Sequence, residues 1–215
     1  MPIDPAVEVV LNEYEERSER EARRWASLPQ EQFLEERDQY LLAVGAATGS
    51  FINLLVKEMK ARVILEIGTS YGYSTLWLAE AARAAGGRII TLELQAAKQD
   101  FARSQLARTG LDGFVDFRSG DALDLLRNLE TSVDFVLLDL WKNLYIPCFD
   151  LFYPKLNPGA LVVADNMLYP ESAHPHAMKY REHARAAAGI QSMLLPVGQG
   201  IEVSRLVRGV DPVAV

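Results

Sequence analysis

The chain has little of what soft-metal and disulfide chemistry need. One cysteine, Cys148, and three histidines are spread over 215 residues. A lone cysteine forms no internal disulfide, which fits a reducing compartment. Its apolar setting suggests a small buried hydrophobe rather than a nucleophile. His174 and His176 flank Pro175, and with His183 they fall in or after a loop, where solvent or substrate contact is expected before a metal role. Excess positive charge is also missing. Lys and Arg number 22 against 29 Asp and Glu, a net charge of −7. The arginines of 17-RSEREARR-24 alternate with acids as on a solvated helix face, so no basic stripe for nucleic acid is present. No apolar run approaches the roughly 20 residues of a membrane helix. The opening residues lack the basic and apolar regions of a signal peptide. The expectation is a cytoplasmic globular protein with neither nucleic-acid nor membrane partners, and a single domain over residues 1–215.

What is present falls into two parts. Residues 5–27, 31–44 and 51–60 have helix-forming composition, with 45-GAATGS-50 as a small-residue break between the last two. They are expected to form an N-terminal helical cap over residues 1–60. From residue 62, β-type runs (62–68, 88–94, 115–120, 133–139, 160–166) alternate with helix-like segments (74–85, 97–109, 121–129, 145–156). Near-continuous apolar strands alternating with helices predict an α/β, doubly wound, mostly parallel sheet covered on both faces. Two last runs, 192–198 and 201–207, are separated by only 199-QG-200, a spacing for an antiparallel hairpin. Together these make a seven-stranded core over residues 61–215. Ligands of such sheets bind beyond the carboxyl ends of the strands.

The polar residues stand at those ends. In 65-LEIGTSYGYSTLWLA-79, Gly68 and Gly72 permit a tight turn and close ligand approach, and Ser74 can cap the next helix. The G-x-x-x-G spacing is neither a dinucleotide fingerprint nor a P-loop. Glu66 is unwelcome beside a diphosphate and compatible with an ammonium or sulfonium. Glu93 ends the second strand, placed to accept two ribose hydroxyls. After the third strand, Asp121 is either a helix N-cap or an acceptor for an adenine amino group, with Ala122 offering a backbone N–H. Jointly these favour an adenosine-containing cofactor. Asp139 ends the fourth strand, and Asp165 with Asn166 ends the fifth. Three hard oxygen donors on one rim suit Mg²⁺, with Mn²⁺ or Ca²⁺ as substitutes, better than zinc. Near such a cation the ammonium of Lys142 is disfavoured, so Lys142 can serve as a base.

The combination of E-x-G-x-x-x-G-Y-S, Glu93, Gly-Asp-Ala at 120–122 and Asp-Asn at 165–166 resembles a class I S-adenosylmethionine-dependent methyltransferase. More narrowly it resembles the cation-dependent O-methyltransferases of catechol and caffeoyl-CoA and their small bacterial relatives. The likeness runs over about residues 38–207. It implies a Rossmann-like methyltransferase fold and methyl transfer to a hydroxyl of a vicinal diol chelated by a divalent cation. By the same likeness, Val44 lies in a cofactor-gating turn, and Glu66 and Gly68 contact the methionine part. Ser74 then binds its carboxylate, Glu93 the ribose, and Asp121 with Ala122 the adenine. Asp139 is implied as a ligand of the metal and a neighbour of the cofactor, with Asp165 and Asn166 completing the metal set. Lys142 is implied as the base, and Trp141 in D-x-W-K as a substrate wall typical of the catechol branch. Tyr40 and Asn166 are implied as further substrate contacts. The 166–177 segment departs from the catechol branch and leaves the acceptor open. The rival expectations are a metal-independent methyltransferase, a non-catechol acceptor, a nicotinamide-dependent oxidoreductase and a silent binding module. A symmetric homodimer is the expected assembly.

Overall fold

A computed structural model describes residues 3–207. Seven strands form one sheet: β1 (Val63–Ile67), β2 (Arg88–Glu93), β3 (Val115–Ser119), β4 (Val133–Leu138), β5 (Leu156–Ala164), β6 (Ile190–Leu195) and β7 (Ile201–Leu206). Their order is β3-β2-β1-β4-β5-β7-β6. The first five are parallel, and β7 runs antiparallel between β5 and β6. The doubly wound sheet with an antiparallel C-terminal pair is therefore as expected. Its strand order reverses between β1 and β4, and the crevice of such a sheet opens at that point.

Among the described residues eight α-helices surround it: α1 (Pro5–Trp25), α2 (Gln30–Glu36), α3 (Gly45–Met59), α4 (Tyr73–Ala85), α5 (Ala96–Arg108), α6 (Ala122–Arg127), α7 (Tyr145–Phe152) and α8 (His174–Ala186). Successive strand residues point to opposite faces, so the apolar runs feed two cores. Ile64, Ile89, Phe135 and Leu137 pack with Val7, Val10 and Leu11 of α1, Ile52 and Val56 of α3, and Leu76 of α4. Leu65, Ile90, Val136 and Leu138 pack with Leu126 of α6, Phe149 of α7 and Tyr180 of α8. The helices before residue 61 thus share a core with the sheet. Cys148 is buried in the second core, which pushes its thiol up to about 12 and keeps it inert. Among the described residues no helix is long and apolar enough to cross a membrane.

Four local expectations need correction. The helix expected over 31–44 stops at Glu36, followed by one 3-10 turn at Arg37–Gln39. Tyr40 is then extended, and Leu42 takes a left-handed φ of 45°. The small residues 45–50 are no break; they open α3. The absent side chain of Gly49 serves packing instead, because a Cβ there would lie 2.4 Å from Trp77 Nε1. The last hairpin pairs Leu195 with Ile201, so its connection is residues 196–200 rather than Gln199–Gly200 alone. Finally, α8 had no counterpart among the expected helices, although HPHAMKYREHARA carries proline in its first turn and helix-forming residues after it.

At the amino-terminal rim, Asp134 fastens three strands. Its Oδ2 accepts from the backbone N–H groups of Arg62 and Val63, both at 2.9 Å, and its Oδ1 from Asn157 Nδ2 at 2.7 Å. Asp134→Ala is expected to lower stability by about 2–3 kcal/mol, read by urea unfolding, because three donors lose their acceptor together.

Candidate active site

The crevice forms where β1 and β4 end side by side. After β1 the chain turns at Gly68, with φ 105°, and a Cβ there would lie 1.9 Å from the Asp139 backbone oxygen. Only glycine lets the two strand ends approach so closely. Ser70 also has a positive φ of 46°, uncommon for a residue with a side chain. Its N–H donates to Glu93 Oε2 at 2.8 Å, and Gln95 N–H donates to Glu93 Oε1 at 2.9 Å. Glu93 therefore binds the β1 loop to the end of β2. The end of β3 joins them through Gly120 N–H to the Glu93 carbonyl at 2.8 Å.

Glu66 lies under this loop, fully buried. Ser74 Oγ, Thr75 Oγ1 and Thr91 Oγ1 each donate to its carboxylate at 2.6 Å. Burial pushes its pKa up to about 7 against the opposing pull of those three hydroxyls. The capping role expected of Ser74 is not what the fold gives it. Gly72 is the N-cap of α4, and Ser74 sits one residue inside the helix, bonded to Glu66. Asp121 does act as an N-cap: its Oδ1 accepts from Leu123 and Asp124 N–H at 2.9 and 3.1 Å. Ala122 begins α6 beside it.

Val44, Gly68, Ser74 and Asp139 line one narrow cleft, together with Leu41–Ala43, Thr69–Tyr71 and Tyr73. Helix α1 holds both walls. Glu21 Oε2 accepts from Leu41 N–H at 2.6 Å, and Tyr14 Oη donates to the Tyr71 carbonyl. The Arg17 guanidinium lies 4.2 Å over the Tyr71 ring, whose hydroxyl donates to the Gln39 carbonyl at 3.2 Å. Charge patterning marked this part of α1 as a solvated face. Nothing local in RSEREARR shows which members reach back to the loops.

On the other side of Asp139, the ends of β4 and β5 bring four residues together. Asp165 is fully buried, and neither of its carboxylate oxygens has a hydrogen-bond partner. Burial and the neighbouring Asp139 charge push its pKa up to about 8. Asp139 is also raised by burial, opposed by Lys142. Lys142 Nζ donates to Asn166 Oδ1 at 2.9 Å and to the Tyr145 hydroxyl, which itself donates to the Asp165 carbonyl at 3.2 Å. Burial drives the Lys142 pKa down against the pull of both aspartates. Asn166 has a left-handed φ of 55°, and its Nδ2 donates to Gln199 Oε1 at 2.8 Å.

An unpaired buried carboxylate is costly unless something supplies positive charge. The donor set here is two carboxylates and an amide oxygen, which suits a hard divalent cation. Among the described residues no three His, Cys, Asp or Glu gather as a metal cluster. The histidines are engaged elsewhere: His174 Nε2 bonds the Leu168 carbonyl at 2.5 Å and His183 Nε2 bonds Asp150 Oδ1 at 2.6 Å, while His176 is exposed.

Trp141 is 43% exposed at the mouth of this cluster. Tyr40 is placed differently. Its ring stacks with Trp25 and Phe33, and its hydroxyl donates to Glu36 at 2.9 Å, so it belongs to the packing between α1 and α2. Tyr145, Ser70 and Gln199 were not anticipated. Tyr145 follows D-x-W-K on the next helical turn, and only the tertiary structure sets its hydroxyl against Lys142.

A profile of the O-methyltransferase family matches residues 16–207. The chain belongs to the O-methyltransferase family. Among its relatives is a catechol O-methyltransferase of Niastella koreensis, 35% identical over 139 residues, covering 63% of this chain and 62% of that protein. Another is a catechol O-methyltransferase of Mycobacterium tuberculosis, 38% identical over 130 residues, covering 59% and 58%. The matched region thus spans about three fifths of the length of these curated relatives. The crystal structure of an O-methyltransferase from Bacillus cereus in complex with SAH superposes with a TM-score of 0.73 at 28% identity, covering 96% of this chain and 92% of that one.

In this member of the O-methyltransferase family the buried Glu66 gives a pH signature. Its carboxyl holds a proton in the folded state up to about 7, whereas the unfolded chain releases it near 4.5. The raised value contributes stability that is complete below the unfolded pKa and is lost as pH climbs through the folded one. Glu66→Gln is therefore expected to flatten the fall in Tm between about pH 4.5 and 7, measured by thermal melts across that range.

Proposed function

We propose that the chain is an S-adenosylmethionine-dependent O-methyltransferase acting on a hydroxyl of a small vicinal-diol aromatic. In this reading Asp139, Asp165 and Asn166 hold a divalent cation, Mg²⁺ or its substitutes Mn²⁺ and Ca²⁺. The observation that carries the metal part is Asp165, buried beside Asp139 with both oxygens unpartnered. The cofactor part is supported by family membership and by the SAH-bound Bacillus cereus relative. The diol is supported by the relatives named as catechol O-methyltransferases.

When bound, the two groups supply a sulfonium-borne methyl and Lewis-acid activation of the acceptor oxygens. The chain's own residues do the remainder. Gly68, Val44 and Ser74 line the cleft for the methionine part, with the Glu66 carboxyl behind them. Glu93, at the end of β2, faces the ribose, and Asp121 keeps Oδ2 free of the capping bonds for the adenine amino group. Asp139 borders both halves of the site, which sets methyl donor and acceptor side by side. Lys142 removes the acceptor proton. Its lowered pKa leaves a larger neutral fraction near neutral pH. Two of its bonds, to Asn166 Oδ1 and the Tyr145 hydroxyl, fix where its free lone pair points. Trp141 forms a wall for the aromatic ring.

Transfer of a labelled methyl group from S-adenosylmethionine to diols and monophenols, with Mg²⁺ or with excess EDTA, tests the reading. Turnover is expected for diols with Mg²⁺, and retained turnover in EDTA would leave a metal-independent methyltransferase. Asp139→Ala and Asp165→Ala should abolish both turnover and its metal dependence. Lys142→Met should lower kcat by about 10²–10⁴-fold. A separate readout needs no turnover. At pH 9 in EDTA Asp165, whose pKa is pushed up to about 8, is mostly ionised and buried without a hydrogen-bond partner, so added Mg²⁺ should raise Tm. Asp165→Asn should raise the metal-free Tm and remove the Mg²⁺ response. An unchanged wild-type Tm would sink the cation site.

A further inference from the structure

The mouth of the site carries a cation that the reading above does not use. Arg37 lies in the 3-10 turn after α2, and its guanidinium carbon sits 4.0 Å from the centre of the Trp141 ring. Trp141 immediately precedes Lys142. The arginines nearby are paired: Arg17 with Glu21 at 2.7 Å and Arg24 with Glu36 at 3.1 Å. Glu36 also receives Gln32 Nε2 and the Tyr40 hydroxyl, so that neighbour of Arg37 is occupied, and Asp38, its neighbour on the other side, makes no ion pair with it among the described residues. Among the described residues no carboxylate lies within 4.0 Å of the Arg37 guanidinium.

A stacked guanidinium uses its face on the ring and leaves its N–H edge open. Such a contact contributes only about 0.5–1 kcal/mol at an exposed site, so it neither neutralises the charge nor satisfies the five donors. Arg37 is therefore a cation without a carboxylate partner among the described residues, held against the Trp141 ring. An aromatic acceptor that packs at Trp141 with its diol toward Asn166 and Lys142 brings its other substituents to this rim.

We propose that Arg37 is a specificity-determining residue that gives the acceptor site a preference for vicinal-diol aromatics bearing a carboxylate. This rests on the methyl-transfer reading and narrows its substrate class. The edge of the guanidinium takes the carboxylate through paired N–H donors while the face stays on Trp141.

The test compares 3,4-dihydroxybenzoate, catechol and dopamine. With S-adenosylmethionine and Mg²⁺, kcat/KM should favour the acid over catechol by on the order of tenfold to a hundredfold, and dopamine should be the poorest. The ratio should fall with added salt. Arg37→Ala should bring it close to one, and Arg37→Lys should keep part of it. A second readout uses EDTA-treated protein without cofactor: quenching of tryptophan fluorescence by 3,4-dihydroxybenzoate against catechol, with Trp141→Phe identifying the responding ring. Wild type should bind the acid more tightly, and Arg37→Ala should lose that difference. The inference is overturned if wild type shows no preference for the acid in either readout, or if Arg37→Ala weakens both ligands equally. If no diol is methylated but the Arg37-dependent quenching persists, methyl transfer fails and the anion-recognising role stands. If diols are methylated without an Arg37-dependent preference, the reverse holds.

Discussion

A fully buried carboxylate beside a half-buried one is the constraint around which the carboxyl rim is organised. Asp139 and Asp165 end adjacent parallel strands, and the backbone N–H of Asp165 donates to the Leu138 carbonyl at 3.1 Å. The sheet register therefore fixes their proximity, and neither can move away without breaking the ladder. Mutual repulsion and burial both favour protonation of the pair. A metal-free site of this kind destabilises the fold at neutral pH, and a bound divalent cation reverses the sign of that contribution. Lys142 and Tyr145 surround the pair, and their perturbed pKa values follow from the same burial.

The β1 side of the crevice depends on a different kind of constraint, backbone contact. Gly68 against the Asp139 carbonyl sets the two halves at one fixed separation. Left-handed Ser70 then delivers its N–H to Glu93. Helix α1 clasps the result from outside through Tyr14, Arg17 and Glu21. The N-terminal helices thus position the site as well as cover the sheet. Arg37, carried by the turn after α2, is the clearest case of a residue from outside the α/β core reaching the loop after β4, where it lies over Trp141.

Residues far from the site in sequence owe their roles to the antiparallel pair at the end of the sheet. Because β7 inserts between β5 and β6, the 196–200 connection returns to the carboxyl end of β5. Gln199 there accepts from Asn166, and the Gly200 carbonyl accepts from Met167 N–H at 2.8 Å. Helix α8 supports the same corner, with Arg181 and Arg185 holding the buried Glu202 at 3.1 and 2.7 Å.

The sequence by itself determined the sheet and the residues at its carboxyl ends. Alternating apolar strands and helices have a period that burial on two faces requires, and strand-end acids are conspicuous against those apolar runs. Local pattern also determined Gly68, Asp139, Lys142, Asp165 and Asn166 as a coherent set, because parallel strands must end on one rim. It misjudged places where propensity and packing diverge. Residues 45–50 look like a break because glycine, threonine and serine are weak helix formers, yet α3 needs Gly49 without a side chain to meet Trp77. Tyr40 is implied as a substrate contact by the family resemblance alone, and its ring completes a stack with Trp25 and Phe33. Only the tertiary structure decided that Ser74 bonds Glu66 instead of capping a helix, that Tyr145 orients Lys142, and that Arg37 lies on Trp141. The Ser74 and Arg37 contacts join segments whose separation along the chain carries no periodic signal, and the Lys142–Tyr145 pair, only three residues apart, depends on the side-chain directions that the turn Lys142–Leu144 sets.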